Sequence, residues 1–150
     1  MDASSIYART DCREAAEGDP QLPQGVVAVI RRSDRYLLVR RGPAIPAADW
    51  WCFPGGGIDP GESEVEALVR ELDEELGIAV RPLRRLWRAI TAWGVDLAWW
   101  ETEWRPEPGN ERFKPAPDEI AEVAWVTREE ALALDLLGSN VAFFRRTPRG

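Results

Sequence analysis

GGIDPGESEVEALVRELDEELGI, residues Gly56 to Ile78, follows directly on Phe53-Pro54-Gly55 and holds the densest pattern in the chain. Ser63 and Glu66 have the S-x-x-E spacing of a capping box, and Pro60-Gly61 ahead of them makes a turn, so a helix is expected to begin there. Val65, Leu68, Val69, Leu72 and Leu76 recur at three- and four-residue intervals, which predicts one apolar stripe, with Gly77 as the C-terminal stop. At about 100° per residue, Glu71, Glu74 and Glu75 fall within roughly a third of the circumference beside that stripe. An ordinary surface helix alternates Glu with Lys or Arg at i, i+4, because like charges at that spacing are mildly destabilising. Here Arg70 is the only base. Clustered carboxylates without basic partners call for a cation, and oxygen-only ligands select a hard one such as Mg²⁺ or Mn²⁺. Taken alone, the glutamates fit a solvated acidic face equally well.

The full pattern decides between these. Gly56, Glu62, Arg70-Glu71, Leu72, Glu74-Glu75, Gly77 and Ile78 occupy every fixed position of G-x5-E-x7-R-E-U-x-E-E-x-G-U, where U is a bulky aliphatic residue. The stretch resembles the Nudix box, the signature of hydrolases acting on nucleoside diphosphates linked to another moiety. The box covers about a sixth of the chain, and strand-like flanks extend the resemblance from about Gly25 to Val126.

Composition narrows the alternatives. At 150 residues the chain is long enough for one domain with a proper core, and its content is ordinary apart from eight tryptophans. No run approaches the length of a membrane span, and the first residues lack a basic and then apolar leader, so a cytoplasmic location is expected. The net charge of −7 sits entirely within Gly56 to Ile78, where eight acids face one base; the rest is neutral, with 18 of each sign. No basic stripe for a nucleic-acid polymer is visible. The absence of histidine excludes Ser-His and Cys-His nucleophilic catalysis and His-based zinc sites. Cys12 and Cys52 are expected to be free thiols.

Residues 1–24 read as a polar arm or short edge strand, and 25–150 as the domain. Gly25 to Ile30 and Tyr36 to Arg40 form a hairpin around Ser33-Asp34-Arg35, and Trp50 to Phe53 is a short strand leading to Gly55-Gly56-Gly57. Those glycines are expected to let backbone approach a ligand. After the helix, Ala79 to Trp104 reads as two strands broken near Thr91 to Gly94. Trp99 and Trp100 must point to opposite faces, one of them free for base stacking. Asp118 to Val126 leads into another strand, Thr127-x-x-Glu130 caps a short helix, and Asn140 to Phe144 is helical before a basic tail, Arg145 to Arg149, that is expected to fray. This order suits a mixed sheet covered by helices. It matches the fold the resemblance implies, a Nudix-type α/β/α sandwich (α/β, or α+β) with a mixed β-sheet between helices.

The resemblance also implies roles. Glu71, Glu74 and Glu75 would be metal ligands and catalytic, joined by the backbone carbonyl of Gly55. Glu62 and Arg70 would pair to support the helix and loop, with Gly56 supporting the site. Glu119 is the matching position for a further ligand or general base from the opposite loop, with Glu122 as second choice. Arg40, Trp51, Trp99 and Trp100 are candidate substrate contacts. Glu75→Gln is expected to lower a metal-dependent rate by orders of magnitude with little change in melting temperature. Subgroup marks for ADP-ribose, dinucleoside polyphosphate, coenzyme A and NADH are absent. Elimination therefore favours a MutT-like nucleoside triphosphate pyrophosphohydrolase, with a nucleotide-sugar or ADP-ribose-type pyrophosphatase as runner-up and a non-catalytic nucleotide sensor as the reading from another class. The resemblance is compatible with a homodimer.

Overall fold

The computed structural model describes residues 5–146; the first residues of the expected arm and Thr147 to Arg149 of the basic tail lie outside them. The described chain is a mixed eight-stranded sheet with α1 (Glu64–Leu76) on one face and α2 (Arg128–Leu132) and α3 (Gly138–Arg146) on the other. The strands are β1 (Arg13–Glu14), β2 (Gln24–Arg32), β3 (Arg35–Arg41), β4 (Trp51–Cys52), β5 (Gly55–Gly57), β6 (Arg81–Ile90), β7 (Asp96–Glu103) and β8 (Ile120–Thr127). None of the helices is long and apolar enough to cross a membrane.

The β2–β3 hairpin turns at Ser33, whose φ is 55°, and its strands pair only near the turn, at Arg31–Tyr36 and Arg32–Arg35. Beyond that they splay. β2 takes β7 as a parallel partner and β5 as an antiparallel one, while β3 pairs with β4 and β8. The segment carrying β4 and β5 thus fills the opening of the hairpin and delivers the chain to α1.

Strand alternation sorts the side chains into two cores. Val26, Ala28, Ile30, Leu37, Val39, Cys52 and Ala98 face α1; Val27, Val29, Tyr36, Leu38, Phe53 and Trp99 face α3. Leu68, Leu72 and Leu76 of α1 are fully buried, each contributing about 1.5–3 kcal/mol of hydrophobic stabilisation. The buried face is rotated from its expected position. Val65 and Val69 are exposed, and Ala67 and Glu75 are buried in their place. The helix faces the sheet through a small residue and a carboxylate that the spacing of large aliphatics does not reveal.

Local signals hold at the helix ends. The Ser63 hydroxyl accepts from the Glu66 N–H at 3.1 Å while the Glu66 carboxylate accepts from the Ser63 N–H at 2.9 Å, and Gly77 closes the helix at φ 66°. Thr127 and Glu130 repeat the box at α2. Arg145 and Arg146 are not frayed but form the last turn of α3, where positive charge favours the helix dipole.

Candidate active site

Glu75 is the buried residue around which the site is built, 6% exposed, with its Oε1 accepting from the Gly55 N–H at 3.0 Å. Burial, then Glu71, then Glu119 push its carboxyl up to about 8, against the pull of the Gly55 N–H and Arg41. Glu71, four residues earlier and about one helical turn away, is half-buried. Its carboxyl is also raised, by burial first and by Glu74 and Glu119, with Arg70 opposing. Glu74 is exposed.

Arg70 organises the outer side of this group. Its guanidinium donates twice to Glu62, at 2.7 and 2.9 Å, and also to Glu71 at 3.0 Å, to Glu74 at 3.1 Å and to the Gly57 carbonyl at 2.9 Å. The fork suits a planar guanidinium and no other cation. Beside it the Glu62 carboxyl is held down at about 2, with the Asp59 N–H assisting. Arg70 therefore joins the loop to the helix and partners two of the expected ligands as well as Glu62.

The three glycines, which line the cleft described below, also have a packing role. Gly55, Gly56 and Gly57 are a strand, paired with Val27, Val26 and Gly25. A Cβ on Gly55 would strike the Val26 carbonyl, and one on Gly56 would strike the Glu71 carboxylate. The missing side chains let β5 seat against β2 and let Glu71 lie flat on the strand.

Glu119 comes from the loop between β7 and β8 and is exposed, close enough for its charge to act on Glu71 and Glu75. That loop is fastened on both sides: Lys114 and Ala116 N–H donate to the Leu76 and Glu75 carbonyls at 2.7 and 2.9 Å, and the Gly42 N–H donates to the Glu119 carbonyl at 2.7 Å. Glu122, the second choice, is instead an exposed partner of Arg40 at 3.3 Å.

Next to Glu75 opens a cleft of about 460 Å³, lined by Gly55–Gly57, Gln24, Arg41, Ile45, Tyr7, Trp93, Leu97 and Ser139 among others. The four candidate substrate contacts are not in its lining. Trp99 is fully buried, stacked on Phe143 at 4.8 Å, and its indole N–H has no partner among the described residues. Trp51 is in the same core. Trp100 does point to the other face, but there its Nε1 donates to Glu64 at 2.9 Å, beside the start of α1. Arg40 pairs with Asp49 at 2.9 Å and with Glu122, leaving Arg41 as the cation that lines the cleft. A register irregularity between Arg40 and Arg41, where β3 meets β8, breaks the alternation that sequence reasoning relies on. Trp93 lies in the predicted break between strands, a position that a preference for loops at the end of a sheet would have singled out. No sequence signal marks Tyr7.

Cys12 and Cys52 are free. Burial raises both thiols, Cys12 to about 11, so neither is a ready nucleophile.

A family model described as NUDIX domain matches residues 21–146. The chain belongs to the Nudix family. Among curated relatives, a CTP pyrophosphohydrolase of Escherichia coli (strain K12) is 49% identical over 53 residues, 35% of this chain and 39% of the relative. An RNA pyrophosphohydrolase of Ruthia magnifica subsp. Calyptogena magnifica is 61% identical over 53 residues, 35% of this chain and 27% of the relative. The match therefore spans little more than a third of the length of the curated relatives, or less. A crystal structure of a MutT NUDIX hydrolase from Burkholderia pseudomallei aligns at 26% identity and a TM-score of 0.65 over 85% of this chain and 99% of that one. The α/β/α sandwich and the mixed sheet are those of this family.

Family membership implies a divalent metal, and the donor set fits one. Glu71, Glu75 and Glu119 are oxygen donors, the charge of Glu119 raises the carboxyls of Glu71 and Glu75, and a hard cation would relieve this repulsion. As they stand, no three such side chains among the described residues converge tightly enough to enclose an ion, since Arg70 holds Glu71 and Glu74.

Proposed function

We propose that this Nudix domain hydrolyses a pyrophosphate bond in a nucleoside diphosphate linked to another moiety, with a nucleoside triphosphate, giving the monophosphate and pyrophosphate, as first choice. The observation that carries the reading is the buried Glu75 carboxylate, coupled to Glu71 and Glu119 at the mouth of a cleft of nucleotide size. The relatives' names, which specify pyrophosphohydrolases of CTP and of RNA, support the reaction class and leave the substrate to experiment.

In this reading Glu71, Glu74, Glu75 and the Gly55 carbonyl would hold Mg²⁺ or Mn²⁺, with Glu119 as a further ligand from its loop. Such an ion, when bound, lowers the pKa of a coordinated water and neutralises phosphate oxygens. The chain's own residues do the rest. Arg41 offers a guanidinium to the phosphates from the cleft wall. A carboxylate oxygen of Glu71, Glu75 or Glu119 accepts the proton of the attacking water. Arg70 and Glu62 fix the loop and helix so that these oxygens keep their spacing. Water attacks one phosphorus of the anhydride, the bridging oxygen leaves with the other phosphoryl group, and the proton passes to the carboxylate.

The test is a panel of nucleoside triphosphates, nucleotide sugars, ADP-ribose and 5′-triphosphorylated RNA with Mg²⁺ or Mn²⁺, following released phosphate and pyrophosphate. Turnover of triphosphates to monophosphate and pyrophosphate is the expected result. Faster turnover of a diphosphate conjugate would move the assignment to the runner-up. Saturable nucleotide binding without turnover of any compound would replace it with a sensor.

A further inference from the structure

Residues 5–20 precede the stretch matched by the family model, 21–146, yet they help to build the cleft. Ser5 caps a short 3-10 turn, Ile6–Ala8, its hydroxyl accepting from the Tyr7 N–H at 3.3 Å. The following Arg9 carbonyl lies so close to Gly138, at the start of α3, that a Cβ there would collide with it. Further along, β1 pairs with Ile90 and Ala89 of β6, and Trp87 Nε1 donates to Glu14 at 2.6 Å. The Asp19 N–H then donates at 2.6 Å to Asp96, a fully buried carboxylate paired with Arg88 at 3.0 Å. Fastened at these points, the arm lays Tyr7 in the cleft wall, its ring edge-on to Trp93 at 5.4 Å and 62°. Trp93 is itself held in a tight turn, with the Thr91 N–H donating to the Val95 carbonyl at 2.9 Å and the Val95 N–H to the Thr91 hydroxyl at 3.1 Å.

The cleft divides into two chemistries on either side of β2. Gly25 of that strand is flanked by Gly57 on one side and Leu97 on the other. On the β5 side are Gly55–Gly57 and Glu75; on the β7 side are Trp93, Val95 and Leu97, joined by Tyr7. A nucleoside phosphate has the same division, with anionic phosphates at one end and, at the other, a flat ring whose faces stack on aromatics.

We infer that the Tyr7–Trp93 pair, half of it supplied by the N-terminal arm, is the nucleobase wall of this cleft and sets how tightly the base is held. The inference deepens the proposed function and rests on its reading of the cleft as a nucleotide site, but not on turnover. Stacking on an aromatic side chain is worth about five- to 150-fold in affinity.

Equilibrium dialysis in Mg²⁺ of the four common nucleoside 5′-monophosphates, against ribose 5-phosphate as the baseless reference, tests it directly. The wild type is expected to bind at least one monophosphate tenfold or more tightly than ribose 5-phosphate. That advantage should fall at least fivefold in Trp93→Ala and in Tyr7→Ala, survive in Tyr7→Phe, and leave the affinity for ribose 5-phosphate unchanged. Trp93→Ala lies outside the arm, so it tests the wall even if Tyr7→Ala loosens the segment. No preference over ribose 5-phosphate in the wild type, an advantage kept in both alanine variants, or an equal loss for ribose 5-phosphate would each overturn the inference. Failure to cleave any anhydride would sink the proposed reaction and leave this comparison standing.

Discussion

Glu75→Gln in metal-free protein separates the two burdens carried by the buried carboxylate. A group raised to about 8 from an ordinary value of 4.5 keeps its proton in the folded chain across a window where the unfolded chain has lost it. Folding stability from this group is therefore fully present below about pH 4.5 and is lost as the pH rises through 8. A span of about 3.5 units at 1.36 kcal/mol each sets a ceiling near 5 kcal/mol, and water entry and coupling to Glu71 reduce this to about 2–3 kcal/mol. At roughly 2–4 °C per kcal/mol, the wild type in chelator should lose about 5–10 °C of melting temperature between pH 5 and pH 8. Glu71, raised by the same burial, adds to the fall. Glu62, held near 2, contributes stability that is lost only as the pH drops below its ordinary range, outside this window. Glutamine keeps an oxygen for the Gly55 N–H and removes the charge. The variant should therefore melt above the wild type at pH 8 in chelator, show a shallower pH slope, and gain less melting temperature than the wild type on addition of Mg²⁺. Its rate under the nucleotide assay should fall by orders of magnitude. The near-unchanged melting temperature expected from sequence then applies only where metal or acid neutralises the native carboxylate. A variant melting below the wild type at pH 8 in chelator, or a wild type with no pH slope, would refute the reasoning.

Gly56→Ala places a methyl group in the Glu71 carboxylate; nucleotide turnover should fall about a hundredfold or more, with a loss of about 1–3 kcal/mol in urea denaturation. Asp96→Ala leaves the Arg88 guanidinium, 7% exposed, with Glu64 as its one remaining ion-pair partner among the described residues, and should cost about 3 kcal/mol or more in the same titration. Ser63→Ala removes one half of the α1 capping box, for about 1 kcal/mol and a fall of 2–4 °C by calorimetry, with turnover at 25 °C retained.

The elements governed by neighbouring residues were legible in the sequence. Both capping boxes, the left-handed Gly77 and the Ser33 hairpin depend on side chains a few positions apart, and each is where spacing put it. What depends on the sheet was not. The opposite orientation of Trp99 and Trp100 follows from the pleat, but neither indole reaches the cleft, which opens beside β2 and at the β6–β7 turn. Arg41 displaced Arg40 because the strand is irregular there. Val65 and Val69 were assigned to the core because periodicity gives the direction of a buried face without its width, and a glutamate holds part of that face instead. Glu119 came only through resemblance, since the bonds that fasten its loop join Glu75 and Gly42, far apart in the chain.

The splayed β2–β3 hairpin also divides the molecule by its tolerance of altered length. Between Gly55 and Glu75 the chain leaves the opening, turns and returns to touch itself through the 3.0 Å bond from Gly55 to Glu75 and the 2.9 Å bond from Arg70 to Gly57, so a residue added or deleted in α1 ahead of Arg70 would break the match between its glutamates and the strand. The turn at Gly109, where φ is 88° and a side chain would meet open space, has no such closure to keep. A reporter peptide or a crystallisation tag would be carried there at the least cost to the rest of the chain.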